Sequence, residues 1–105
     1  MVKDFHFYRQ QLVEEIKKKY KPQKIILFGS AVNGKTRKWS DADLVIIKKT
    51  KKNFYDRIEE VSSLVEHHIP LDFLVYTPAE FQAMSGWNYF IQKEVLEKGK
   101  ILYES

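Results

Sequence analysis

Cysteine is absent from this chain of 105 residues, which excludes disulfides and thiolate metal sites. No apolar run approaches the length of a membrane span. The N-terminus, Met1-Val2-Lys3-Asp4, lacks the apolar core of a signal peptide, so a cytoplasmic location without membrane contact is the expectation. No repeat, low-complexity tract or linker interrupts the chain, and its length suits one domain over residues 1–105 with one core. Acidic residues are scarce in the first half. Residues 1–52 hold 14 Lys/Arg against 5 Asp/Glu, a balance of +9, whereas residues 53–105 hold 4 against 9, a balance of −5. A basic half suits a polyanionic substrate such as a nucleoside triphosphate, while a solvated lysine surface is the plainer reading of the same residues. The apolar fraction of 44%, with 14% aromatics, is that of a globular protein.

The informative stretch runs from Ile25 to Ile47. Ile25–Phe28 and Leu44–Ile47 are continuous and rich in β-branched residues, which predicts short strands buried on both faces. Asp is depleted in strands, so Asp41 and Asp43 at the mouth of the second strand need a reason. Alternation along a strand points both the same way. Two carboxylates on one face repel unless a cation lies between them, and Mg²⁺ takes such hard oxygen ligands together with substrate phosphates. Gly29-Ser30 closes the first strand. Glycine allows the backbone to approach a ligand, and serine can cap a short following helix, whose N-terminus is an anion site.

Gly29-Ser30, a spacer of ten residues and Asp41-Ala42-Asp43-Leu44 together resemble the signature of the DNA polymerase beta-like nucleotidyltransferase superfamily. The short length resembles its minimal nucleotidyltransferases, many of them antitoxin partners of HEPN-domain toxins. The resemblance covers nearly the whole chain, to the closing Gly99–Tyr103. It implies a metal-dependent enzyme that moves a nucleoside monophosphate, AMP from ATP, to a hydroxyl on a HEPN-type partner protein. By the same resemblance Asp41 and Asp43 would bridge two Mg²⁺ ions, or Mn²⁺ in their place. Asp72 would bind the catalytic ion and orient or deprotonate the attacking hydroxyl, and Gly29 and Ser30 would hold the outer phosphates. Lys35, Arg37 and Lys38 lie in the connection near the carboxylates, where Lys35 or Lys38 could neutralise phosphate charge; an ordinary polar loop is the alternative. Related minimal enzymes commonly carry Arg where this chain has Asn33, which removes one cation and keeps open a catalytically weak subunit that masks its partner. A basic nucleic-acid-binding domain is a further alternative, for which no reading element is recognisable.

The remaining elements follow from periodicity and caps. Asp4–Tyr20 reads as an amphipathic helix stopped by Pro22, its Lys17–Lys19 run a solvated end. Asn53 can cap a helix carrying Phe54, Ile58, Val61 and Val65, with Asp56, Glu59 and Glu60 as its wet face. His67-His68 lacks the spacing of a helical metal pair. Leu71–Tyr76 predicts a third strand in which a lone Asp72 lies opposite Leu71, Phe73 and Val75. If that strand pairs beside Asp43–Ile47, Asp72 completes a three-carboxylate site. Thr77-Pro78-Ala79-Glu80 has the form of a capping box. Asn88–Lys98 reads as a helix stopped by Gly99, and Lys100–Tyr103 as a terminal strand. Trp87, Tyr89 and Phe90 read as core, with an interface to a second chain or a homodimer as the alternative. The expected architecture is α+β: a mixed sheet of about four strands (Lys24–Phe28, Asp43–Lys48, Leu71–Tyr76 and Lys100–Tyr103) covered by helices, a nucleotidyltransferase fold.

Overall fold

In the computed structural model the described residues are 5–29, 42–66 and 72–105. Helix α1 spans Phe5–Lys19 and is followed by strands β1 (Lys24–Gly29) and β2 (Ala42–Ile47). Helix α2 (Phe54–Leu64), strand β3 (Asp72–Tyr76) and helix α3 (Pro78–Ser85) come next, then a π-helix over Ile91–Glu97 and strand β4 (Lys100–Glu104). The strands form one sheet in the order β3-β2-β1-β4. Strand β1 is antiparallel to β2 and β4, whereas β2 and β3 are parallel, so the sheet is mixed and the fold is α+β.

The apolar runs are continuous because both faces of the sheet are covered. On the first face Ile25, Leu27, Leu44, Ile46 and Val75 pack with Leu12 and Ile16 of α1 and Val61 of α2. On the second face Ile26, Phe28, Val45 and Ile47 pack with Ile91 and Val95 of the π-helix, flanked by Phe81 and Met84 of α3. Each buried aliphatic side chain stabilises the fold by about 1.5–3 kcal/mol, and together they fix which way every strand residue faces.

Local chemistry sets the element ends. Lys21, with φ 54°, is the left-handed residue that ends α1, one position before Pro22. Two lysines of the run at that end are paired at the surface, Lys17 with Glu14 at 3.2 Å and Lys19 with Glu15 at 3.1 Å. Asn53 caps α2 by accepting from the Asp56 backbone N–H at 2.9 Å. The capping box of α3 is complete: Thr77 Oγ1 accepts from the Glu80 N–H at 3.1 Å, and Glu80 Oε1 from the Thr77 N–H at 2.8 Å. Among the described residues no helix is long and apolar enough to cross a membrane.

Two sequence expectations change. The segment expected as an ordinary helix is π-helical over Ile91–Glu97, with Lys98 N–H reaching back five residues to the Lys93 carbonyl at 3.1 Å. Ile91 and Val95 stand four apart and both face the sheet, a spacing that an α- or a π-turn can serve, so periodicity does not choose the pitch. The aromatic group expected in the core is largely outside it: Trp87 is 71% exposed, Tyr89 70% and Phe90 38%. The π-helix fills the second face with Ile91 and Val95 and leaves the aromatics before it at the rim. Leu71, His67, His68 and Trp39 lie outside the described residues.

Candidate active site

Three strand termini meet at one end of the sheet. Strand β1 finishes at Gly29, opposite Ala42, and Phe28 is opposite Asp43. Strand β3 begins at Asp72, which is in register with Asp43 across the parallel β2–β3 pair. Register partners project to the same face, so Asp43, Asp72 and Phe28 all emerge on the second face, in line with Val45 and Leu74. Adjacent strands lie about 4.7–4.9 Å apart, which makes Asp43 and Asp72 immediate neighbours.

Their environments differ. Asp43 is half-buried, with its Oδ1 atom shielded from solvent, whereas Asp72 on the edge strand is exposed. Two carboxylates so placed repel, and a cation between them removes that cost. A pair of hard oxygen donors with one open side fits Mg²⁺ or Mn²⁺ in chemistry. Gly29 adopts φ 90°, a conformation that side chains other than glycine's rarely tolerate, at the point where the backbone leaves the sheet beside this pair. Of the residues singled out from the sequence, the structure thus brings together Gly29, Asp43 and Asp72. Asp41, Ser30, Lys35, Arg37, Lys38 and Asn33 lie outside the described residues. Among the described residues no three metal-capable side chains cluster.

Strand β3 is an edge strand, and its seat depends on a residue the sequence reading passed over. Arg57 of α2 is buried and donates through Nε to the Lys52 carbonyl at 2.7 Å and through Nη1 to the Val75 carbonyl at 3.2 Å. Its two Nη groups also meet Glu80 Oε1 at 2.7 Å and Oε2 at 3.2 Å, a bidentate pair. The guanidinium holds the Glu80 carboxyl below the ordinary carboxylate range, aided by the Thr77 N–H. The signal was available: Arg57 stands three residues after Phe54 and four before Val61, on the apolar stripe of α2. A second feature not anticipated is the edge-to-face contact of Phe28 with Phe90, ring centroids 5.3 Å apart.

The family model for polymerase beta nucleotidyltransferases matches residues 10–105. The chain belongs to the polymerase beta nucleotidyltransferase family. Among proteins similar to this nucleotidyltransferase is one of Methanocaldococcus jannaschii named "Putative protein adenylyltransferase MJ0604", 28% identical over 98 residues, covering 90% of this chain and 93% of its own length. Among solved structures, a "putative nucleotidyltransferase" from Sulfolobus solfataricus superposes with a TM-score of 0.64 at 20% identity, covering 93% of this chain and 78% of the other. That likeness shows the fold.

Proposed function

We propose that this nucleotidyltransferase is a metal-dependent adenylyltransferase that moves AMP from ATP to a hydroxyl on a second protein. The observation that carries the reading is the register of Asp43 with Asp72 on one face, beside the left-handed Gly29 at the end of β1. The name of the Methanocaldococcus relative supports protein as the acceptor class. Asp43 and Asp72, with Asp41, would hold two Mg²⁺ or Mn²⁺ ions. When bound, such ions neutralise phosphate charge and stabilise the attacking and leaving oxygens of an in-line displacement.

The chain's own groups do the positioning. Gly29 and Ser30 would receive the outer phosphates, with Lys35 or Lys38 offsetting their charge. Asp72, exposed on the edge strand, would accept a hydrogen bond from the acceptor hydroxyl and orient its oxygen toward the α-phosphorus. The acceptor oxygen forms the new bond to phosphorus, the bond to the bridging oxygen breaks, pyrophosphate leaves and the hydroxyl proton passes to Asp72 or water. In this reading the acceptor surface comes from another chain, in keeping with the relative's name as a protein adenylyltransferase. A HEPN-domain protein with an acceptor tyrosine is the partner class, and the pair would act as toxin and antitoxin in the cytoplasm.

The test is incubation of the purified chain with α-³²P-labelled ATP, Mg²⁺ and the protein encoded by the adjacent gene. Label should appear on that protein and be lost with Asp43→Asn or Asp72→Asn. Label that persists in both variants, or no transfer from any nucleoside triphosphate, contradicts the proposal. A stable complex without transfer would indicate the masking subunit instead.

A further inference from the structure

Phe28 links the carboxylate pair to the aromatic rim. Its backbone is opposite Asp43 in the β1–β2 ladder, and its ring, 7% exposed, is packed into the second face. Phe90 sits edge-on against it with an interplanar angle of 84°. Such pairs are favourable by about 0.5–1.5 kcal/mol, enough to fix the orientation of Phe90 while leaving 38% of it open to solvent. Phe90 thus packs on the register partner of Asp43, which puts its ring on the order of 10 Å from that residue given the spacing of paired strands. Phe90 is the residue from which the π-helix starts, and π-segments are frequent at functional sites.

We infer that Phe90, backed by Phe28, is the stacking platform for the base of the nucleotide whose phosphates meet Asp43 and Asp72. The inference rests on the transfer-site reading above and assigns the part of the site that reading leaves open. A nucleotide has a polyanionic end and a flat aromatic end joined by a ribose. The structure offers carboxylates for a cation-bridged anion and, on the same sheet face, a part-exposed aromatic ring fixed from behind. Two amide atoms beside Phe90 already hold backbone groups: Asn88 Oδ1 accepts from the Ile91 N–H at 3.1 Å, and Gln92 Nε2 donates to the Ser85 carbonyl at 2.9 Å. The contact that the Phe90 ring itself offers a base is stacking.

The test compares two ligands in the presence of Mn²⁺, measured calorimetrically on the full chain: α,β-methylene-ATP and inorganic tripolyphosphate, which has no base. Loss of stacking on one base usually costs about tenfold in affinity. Phe90→Leu, which retains apolar bulk against Phe28, should weaken the nucleotide analogue by about that factor and leave tripolyphosphate unchanged. Phe90→Trp should restore the analogue. Equal effects of Phe90→Leu on both ligands, or none on either, overturn the platform while leaving the carboxylate site standing. Tripolyphosphate binding that is absent, or indifferent to Asp43→Asn, defeats the transfer-site reading and the platform with it.

Discussion

Replacing Arg57 with methionine keeps much of the stem volume and deletes four hydrogen bonds at once. Two of them are donated to the Glu80 carboxylate, whose side chain is 45% exposed, so the ion pair is screened and contributes about 0.5–1 kcal/mol. The other two end on the Lys52 and Val75 carbonyls, and the second is buried. Hydrogen bonds from charged donors contribute about 1.5–3 kcal/mol each, and a buried carbonyl left without its donor costs a similar amount. Arg57→Met should therefore lower stability by about 3.5 kcal/mol, the low end of that sum, in urea unfolding at pH 7, with little change in the slope. Glu80→Gln removes only the charge and can keep the acceptor for the Thr77 N–H, so it should cost about 1 kcal/mol. Glu80 has a depressed pKa when folded, so its contribution is full above the ordinary value of 4.5 and is lost as pH falls through the lower folded value. The gap between wild type and Glu80→Gln should accordingly close on acidification. A loss under about 1 kcal/mol for Arg57→Met at pH 7, or a gap that widens as pH falls, would refute this account of the clamp.

Asp43→Asn should melt, without metal, at the wild-type temperature or slightly above it while losing transfer, because facing carboxylates repel in the apo fold; clear unfolding would make Asp43 structural. Gly99→Ala should lose about 1–3 kcal/mol in urea, since a Cβ there would collide with the Val95 carbonyl oxygen and come within 2.9 Å of Ile26 Cγ2; unchanged stability would contradict that packing. Burial, reinforced by the Glu60 carboxylate, pushes the Tyr20 hydroxyl up to about 12. Wild type should then lose stability as pH rises from the ordinary value of 10 toward about 12, and Tyr20→Phe should lack that part of the loss in alkaline urea titrations; matching profiles would count against it.

The strands and caps were legible because each has a local chemical cause. Apolar continuity told of a sheet covered on both faces, and Asn53 and Thr77–Glu80 act through contacts only three residues long. The third strand was legible from Leu71–Tyr76, and the β2–β3 register sets its Asp72 beside Asp43. Arg57 was missed although it sits on the apolar stripe of α2, because its partners Val75 and Glu80 come from elements distant in sequence. Residue type alone puts Trp87, Tyr89 and Phe90 in the core, but exposure depends on how much of the second face Ile91 and Val95 already occupy. The π-pitch was not legible, since an apolar pair four apart suits either helix. The pairing of β4 with β1 is likewise a long-range choice, and its shift between Ile25 and Ile26 leaves no local mark.

The central claim is that Asp43 and Asp72, neighbours by strand register, act together on a divalent cation. Its most direct measurement is Mn²⁺ titration of the full chain by electron paramagnetic resonance, with α,β-methylene-ATP present, in wild type, Asp43→Asn and Asp72→Asn. Loss of either carboxylate should weaken Mn²⁺ binding at least about tenfold, the lower end of what is seen even for residues that only support ligands. Mn²⁺ binding that is the same in wild type and in both variants would contradict the claim.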